Sequence, residues 1–338
     1  MTGKVKWGIL STASIAQRRV LPAMRNCEHA EVAAIASRSL DNAKAVASDF
    51  SIPKVYGSYE ELFDDPDIEA IYNPLPNHLH VEWSIRAASR GKHVLVEKPL
   101  SRTVAEVRRL LKARDEYHIK IGEAFMVRTH PQWLRTAELA HSGRIGKLRS
   151  ALGYFSYFNV DPENTRNVAD YDGGALMDIG CYPIKTSRFV FGEEPVRVFG
   201  CIERDPGFKT DRLTSAILEF PTGQSAFTVS TQMAYYQKMQ FFGEAGRIDV
   251  EIPFNAPTDK PTRIFIDDGK DLYAGASAVV ETFPICNQFT IQADLFSAAI
   301  RGNTEVPNPL EDSICNAAVI EALFRSADTG KWETPAHL

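Results

Sequence analysis

Three residues of this chain have the types and spacing for proton and charge chemistry: Lys98, Asp178 and Tyr182. Lys98 stands in Glu97-Lys98-Pro99, directly after the apolar run Val94-Leu95-Val96, so it emerges where a buried strand ends, and Pro99 limits the freedom of its loop. An ammonium at such a place can bind a hydroxyl and stabilise negative charge developing on its oxygen. Asp178 and Tyr182 stand four apart in a helix-like stretch behind the paired glycines Gly173 and Gly174, and therefore share a face. The carboxylate can hold two hydroxyls, and the phenol can relay a proton once its pKa, ordinarily about 10, is lowered. The charge of Lys98 is the natural helper if the two elements meet. Oxidation of an alcohol, or reduction of a carbonyl, is the chemistry this set suits.

Such chemistry needs a hydride carrier, and the first third of the chain has the pattern of a dinucleotide fold. Strands are predicted at Val5 to Leu10, Glu31 to Ala36, Lys54 to Tyr56, Ala70 to Tyr72, His93 to Val96 and Ile119 to Gly122. Helical runs separate them: Ile15 to Met24, Asp41 to Asp49, a short one after Ser58, Asn77 to Ser89, and one from Thr103 to about Tyr117. Ser58 with Glu61, and Thr103 with Glu106, read as capping boxes. Strands separated by single helices imply a parallel sheet covered on both faces, with ligands at the carboxyl ends of its strands.

The turn after the first strand is where a pyrophosphate belongs. Here Ser11-Thr12-Ala13-Ser14-Ile15-Ala16 places small residues at all three glycine positions of GxGxxG, and its hydroxyls add donors. The second strand ends in Ser37-Arg38-Ser39, where an acidic residue would select a ribose diol. A guanidinium suits a 2′-phosphate instead, so NADP(H) is preferred and NAD(H) is the alternative. Pro74, Leu75 and Asn77, in the turn after the fourth strand, join Glu97 and Lys98 as cofactor-lining candidates. Asn77 reads as a helix cap. His80 is a candidate for either cofactor or substrate, and Arg128, with His130, for a substrate wall.

After Gly122 the pattern changes. A helix from Pro131 to Ala140 and a strand from Lys147 to Phe158 are followed by strand-like runs at Ser215 to Phe220, Ser225 to Thr231 and Met239 to Phe242. Gly223 and Gly246 mark turns. The reading is an α/β Rossmann domain over residues 1–123, then an α+β domain over 124–338 built on a large, mostly antiparallel, open-faced sheet. Helices at Gln288 to Ile300 and Glu311 to Ser326 would cover part of that sheet.

Composition limits the alternatives. Thirty-eight basic and 43 acidic residues give a net charge of −5, which argues against nucleic acid as a partner. No run of about 18 apolar residues or signal-peptide core is present, so neither membrane insertion nor export is expected. Five scattered cysteines without a CxxC pair suit the cytoplasm, and no histidine motif suggests a metal.

The chain resembles the glucose-fructose oxidoreductase / inositol dehydrogenase (Gfo/Idh/MocA) family over almost its full length. The resemblance rests on Trp7 to Ala16, Pro76-Asn77-His78-Leu79-His80, Glu97-Lys98-Pro99 and Gly173-Gly174-Ala175-Leu176-Met177-Asp178-Ile179-Gly180. It implies a catalytic lysine at Lys98, a substrate-binding aspartate at Asp178, and a homodimer or homotetramer formed through the second-domain sheet. Inositol dehydrogenases carry a histidine at the position of Tyr182. Xylose dehydrogenases, dimeric dihydrodiol dehydrogenases and glucose-fructose oxidoreductase carry a tyrosine, and this chain follows them. The expected activity is hydride transfer between NADP(H) and a sugar or related polyol, as in an aldose 1-dehydrogenase. The alternatives are reduction of a ketose, anhydrosugar or dicarbonyl, oxidation of a trans-dihydrodiol, or a cofactor-binding sensor without turnover.

Overall fold

The structure is a computed structural model that describes residues 3–271, 275 and 277–336. The chain forms two compact units. One comprises Met1–Ser101, Ala105–Met126 and Asn287–Ile314; the other comprises Arg102–Val104, Val127–Cys286 and Cys315–Leu338.

The first unit is built on six strands: β1 (Val5–Leu10), β2 (Ala30–Ala36), β3 (Lys54–Tyr56), β4 (Ala70–Asn73), β5 (His93–Glu97) and β6 (Ile121–Ala124). All pairs are parallel, in the order β3-β2-β1-β4-β5-β6. β4 and β6 are buried throughout, as strands covered on both faces must be. β6 begins two residues later than the sequence pattern predicts. The helix Gln288–Gly302 also departs from expectation, because it packs in this unit rather than on the second sheet. Trp7 of β1 anchors it: Nε1–H donates to Ser297 Oγ at 3.0 Å, and the indole lies 5.6 Å from the Phe296 ring. Ser58 caps its helix by accepting the Glu61 N–H. The Glu61 carboxylate accepts from Gly57 N–H, one residue earlier than in a capping box. Glu106 accepts the Ser101 hydroxyl.

The second unit carries eight strands: β7 (Leu148–Phe158), β8 (Arg197–Arg204), β9 (Asp211–Glu219), β10 (Gln224–Ser230), β11 (Gln232–Gly243), β12 (Gly246–Val250), β13 (Thr262–Asp267) and β14 (Val279–Phe283). Their order is β14-β13-β12-β11-β7-β10-β9-β8, antiparallel except for the interior β7–β10 pair. Helices Pro131–His141 and Cys181–Phe191 pack on this sheet. Trp133 fixes the first of them by donating Nε1–H to Pro253 O at 2.7 Å and stacking on Phe254. Leu152, Ala226 and Ile217 stand in register across β7, β10 and β9, with Leu152 and Ile217 exposed.

Candidate active site

In the first unit, strand order reverses between β1 and β4, and ligands of such sheets bind outside the carboxyl ends of the strands at that reversal. Ser11 leaves β1 with φ 61°, the left-handed conformation a glycine adopts freely and a serine seldom does. Its N–H donates to Ala36 O at 2.7 Å, and its Oγ accepts the Ala13 N–H at 3.2 Å. Gln17 Nε2 secures the Thr12 carbonyl at 2.6 Å. A helical segment starts at Ser14, and the buried Ala16 completes the small-residue pattern beyond Ile15. A tight turn leading into a helix N-terminus fits a pyrophosphate, because it offers backbone N–H groups and admits close approach.

At the end of β2, Ser37 Oγ accepts the Ser39 N–H, and Ser39 Oγ accepts the Asn42 N–H to cap the helix Leu40–Phe50. The two serines shape the turn, while Arg38 stays exposed beside the Tyr59 phenol. The guanidinium is the feature here that suits a phosphate.

At the ends of β4 and β5 the structure corrects several expectations. Asn77 is the first residue of a tight turn, Asn77–Leu79, that leads into the helix His80–Ala88, which begins three residues later than the sequence pattern predicts. Pro74 and Leu75 are buried, and Asn73 Oδ1 accepts the Leu75 N–H. His80, a candidate ligand-binding residue in the sequence, is enclosed at 1% exposure. Its Nε2 lies 2.7 Å from Leu75 O and its Nδ1 3.0 Å from Pro99 O, so neither ring nitrogen is left for a ligand. Burial lowers its pKa to about 4, against the pull of the neighbouring carbonyls. Glu97 also turns inward: its carboxylate accepts the Tyr72 hydroxyl at 2.7 Å and the Lys98 N–H at 3.1 Å, and burial pushes its pKa up. Lys98 itself is half-buried, beside a cis Lys98–Pro99 bond.

The second unit carries Asp178 and Tyr182. Gly174 has φ 118°, and a Cβ there would overlap Asp211 Oδ1; one on Gly173 would overlap the carbonyl oxygen of Arg166. Asp211 accepts the Leu176 N–H at 2.6 Å and the Thr214 hydroxyl at 2.9 Å, and burial pushes its carboxyl up to about 6. The residues behind this lock form a π-helical turn, Leu176–Gly180, before the α-helix that bears Tyr182. Such turns often mark functional positions.

Asp178 Oδ2 accepts the Tyr157 hydroxyl at 2.7 Å and pairs with Arg166 Nε at 2.9 Å. Burial first, then the Asp178 charge, raises the Tyr157 pKa, so this phenol stays a donor. Asp178 is also the main cause of the raised Arg166 pKa, with smaller contributions from Tyr157 and Tyr182. Tyr182 is buried between Phe155 and Phe254, with ring centroids 5.6 and 5.2 Å away. One carboxylate, a cation and two phenols thus belong to one electrostatic cluster. Tyr157 and Arg166 are absent from the sequence-based set: Tyr157 is one aromatic among several in a strand, and Arg166 stands in a short 3-10 turn, Thr165–Asn167, without a motif.

Arg128 lies with its guanidinium carbon 3.5 Å from the Phe189 ring centroid. His130 is structural rather than a pocket wall: Nδ1 accepts the Gln132 N–H to cap Pro131–His141, Nε2 is 3.3 Å from Cys286 Sγ, and burial lowers its pKa to about 4. Among the described residues, no group of three or more His, Cys, Asp or Glu side chains is arranged to hold a metal ion, and no helix is long and apolar enough to cross a membrane.

Family models match residues 5–125, described as an oxidoreductase family with an NAD-binding Rossmann fold, and residues 133–249, described as a GFO/IDH/MocA C-terminal domain. The oxidoreductase ORF334 of Rhizobium meliloti is 48% identical over 98% of this chain and 99% of its own length. The NADP+-dependent D-xylose 1-dehydrogenase 2 of Haloferax volcanii is 35% identical over 96% and 98%. The structure of KijD10, a 3-ketoreductase from Actinomadura kijaniata in complex with NADP and TDP-benzene, is similar with a TM-score of 0.89, at 30% identity over 96% of this chain and 98% of that one. Fold and site together define an NAD(P)-dependent oxidoreductase. The chain belongs to the Gfo/Idh/MocA family.

Proposed function

We propose that this protein transfers a hydride between NADP(H) and a carbon of a sugar or related polyol, as an aldose 1-dehydrogenase does. The observation that carries the reading is Asp178, held by Tyr157 and Arg166 in the cluster that includes Tyr182. A fixed carboxylate suits the hydroxyls of a polyol. Nicotinamide, when bound, supplies the hydride acceptor or donor at C4. In this reading Tyr182 moves the hydroxyl proton, Lys98 stabilises charge on the reacting oxygen, and Arg128 contributes to substrate binding. The turn Ser11 to Ile15 holds the pyrophosphate, with Ser11 and Ala13 shaping it and Thr12, Ser14 and Ile15 offering backbone N–H groups, and Arg38, with Ser37 and Ser39, holds the 2′-phosphate. Pro74, Leu75 and Asn77 line the nicotinamide side. His80 and Glu97 act from behind, through the loops they hold.

The similarity to a ketoreductase supports a second reading, in which the physiological direction is reduction of a keto sugar by NADPH. The same residues serve both directions.

The row formed by Leu152, Ala226 and Ile217, with the neighbouring Tyr154–Tyr236 pair, supports a homodimer or homotetramer formed through this sheet face. Replacing Leu152 and Ile217 by Asp should give a monomer by light scattering; an unchanged mass would refute this interface. Five free cysteines support a reducing compartment, the cytoplasm, which fractionation can test.

The activity is tested by initial rates at 340 nm with NADP+ and NAD+ on aldoses, inositols and trans-dihydrodiols, and with NADPH on ketoses and dicarbonyls. Aldose turnover with NADP+ is the expected result. Saturable NADPH binding without conversion of any compound would replace the enzymatic reading with a sensor.

A further inference from the structure

The ladder between β4 and β5 ends at Asn73 and Val96, so the segments that follow must be held in another way. Buried side chains do this. Glu97 Oε2 accepts the Lys98 N–H, and Glu123 Oε1 accepts the Leu100 N–H at 3.0 Å. Glu123 is itself fixed by the Ser313 hydroxyl on Oε2 at 3.0 Å. Pro99 has no N–H, and its carbonyl faces His80 Nδ1. Each residue from Lys98 to Leu100 therefore has a backbone polar group taken by a buried ionisable side chain. His80 differs from the two glutamates in reaching a second segment, through Nε2 and Leu75 O. Its own backbone is tied to β4, because Asn73 Nδ2 donates to His80 O and to Ser84 Oγ, both at 3.0 Å.

We propose that His80 is a positioning residue that couples the Pro74-Leu75 turn to the Lys98 loop, so that one imidazole sets both the lysine and the turn. Each ring nitrogen faces one carbonyl; the neutral imidazole carries a single N–H, so it donates to one carbonyl while its enclosed ring stands against the other, and the ring in this way fixes the separation of the two segments. Leucine fills similar volume without a donor for either carbonyl. Glutamine keeps a donor for one carbonyl. The kinetic part of this inference rests on the activity proposed above; the clamp itself does not.

The test uses the full-length protein and two readouts. In hydrogen exchange, His80→Leu should speed exchange of the Lys98 and Leu100 amides about tenfold or more while leaving Ile9 and Leu10 in β1 unchanged. His80→Gln should fall between, and it serves alone if the leucine variant does not fold. In kinetics, His80→Leu should lower kcat about ten- to a hundredfold with the NADPH Kd within about threefold, and adding it to Lys98→Ala should cost nothing further. Unchanged exchange at Lys98 and Leu100 would overturn the clamp, and additive losses in the double variant would overturn its action through Lys98. If the wild type turns over no substrate, the proposed activity fails while the exchange result still decides the clamp.

Discussion

Tyr157 and Arg166 both act on one oxygen of Asp178, Oδ2, from 2.7 and 2.9 Å. A carboxylate held this way cannot rotate without losing a charge-assisted bond. Tyr157→Phe should therefore raise KM for the sugar roughly ten- to a hundredfold, the worth of a hydrogen bond to a charged group, and leave NADPH affinity unchanged. Steady-state kinetics beside a fluorescence titration of NADPH checks it. A wild-type KM would mean that Asp178 needs no such support.

Tyr182→Phe keeps the ring among Phe155 and Phe254 and removes only the hydroxyl. The expected loss in kcat is about a hundredfold to ten-thousandfold, the usual weight of a positioned acid-base group, with cofactor Kd preserved. A kcat within a factor of about two of wild type would remove Tyr182 from proton transfer.

Arg38→Ala should weaken NADP+ binding about ten- to a hundredfold and leave NAD+ binding unaltered, since the guanidinium is expected to contact only the 2′-phosphate. Titration of both cofactors against the variant decides the matter, and equal losses for the two would assign Arg38 a structural role.

Much of this arrangement was legible in the sequence, and the exceptions have physical causes. The six strands of the first sheet follow from buried runs separated by amphipathic helices, a local pattern. The place of Gln288–Gly302 does not, because an apolar helical face fits either sheet and Trp7 decides the matter from 290 residues away. Lys98, Asp178 and Tyr182 stand in motifs. Tyr157 and Arg166 reach Asp178 only through tertiary structure, and no local spacing announces them. The paired glycines Gly173 and Gly174 are visible ahead of the helix-like stretch, but their reason, the Arg166 carbonyl and the Asp211 carboxylate in the space a Cβ would need, is likewise non-local. His80 shows the converse: a histidine between two functional loops reads as a ligand until its nitrogens are seen to face two carbonyls.

Asp211 gives a prediction about pH. Its carboxyl, ordinarily near 3.8, is pushed up to about 6 by burial, so between these values the native protein holds a proton that the unfolded chain has released. The resulting stability is complete below about pH 4 and is lost as pH rises through about 6. The side-chain amide introduced by Asp211→Asn has no proton to lose in this range. The stability of wild type minus that of Asp211→Asn should thus fall by up to about 3 kcal/mol between about pH 4 and pH 7 in urea unfolding. Parallel curves would show that the carboxyl titrates normally.

The central claim, direct hydride transfer from a sugar carbon, is tested most directly with aldoses deuterated at C1, incubated with NADP+ and the wild-type enzyme. The expected product is NADPH one mass unit heavier, labelled at C4 and formed more slowly than from unlabelled sugar. NADPH without the label, or none at all from any aldose, would contradict the account.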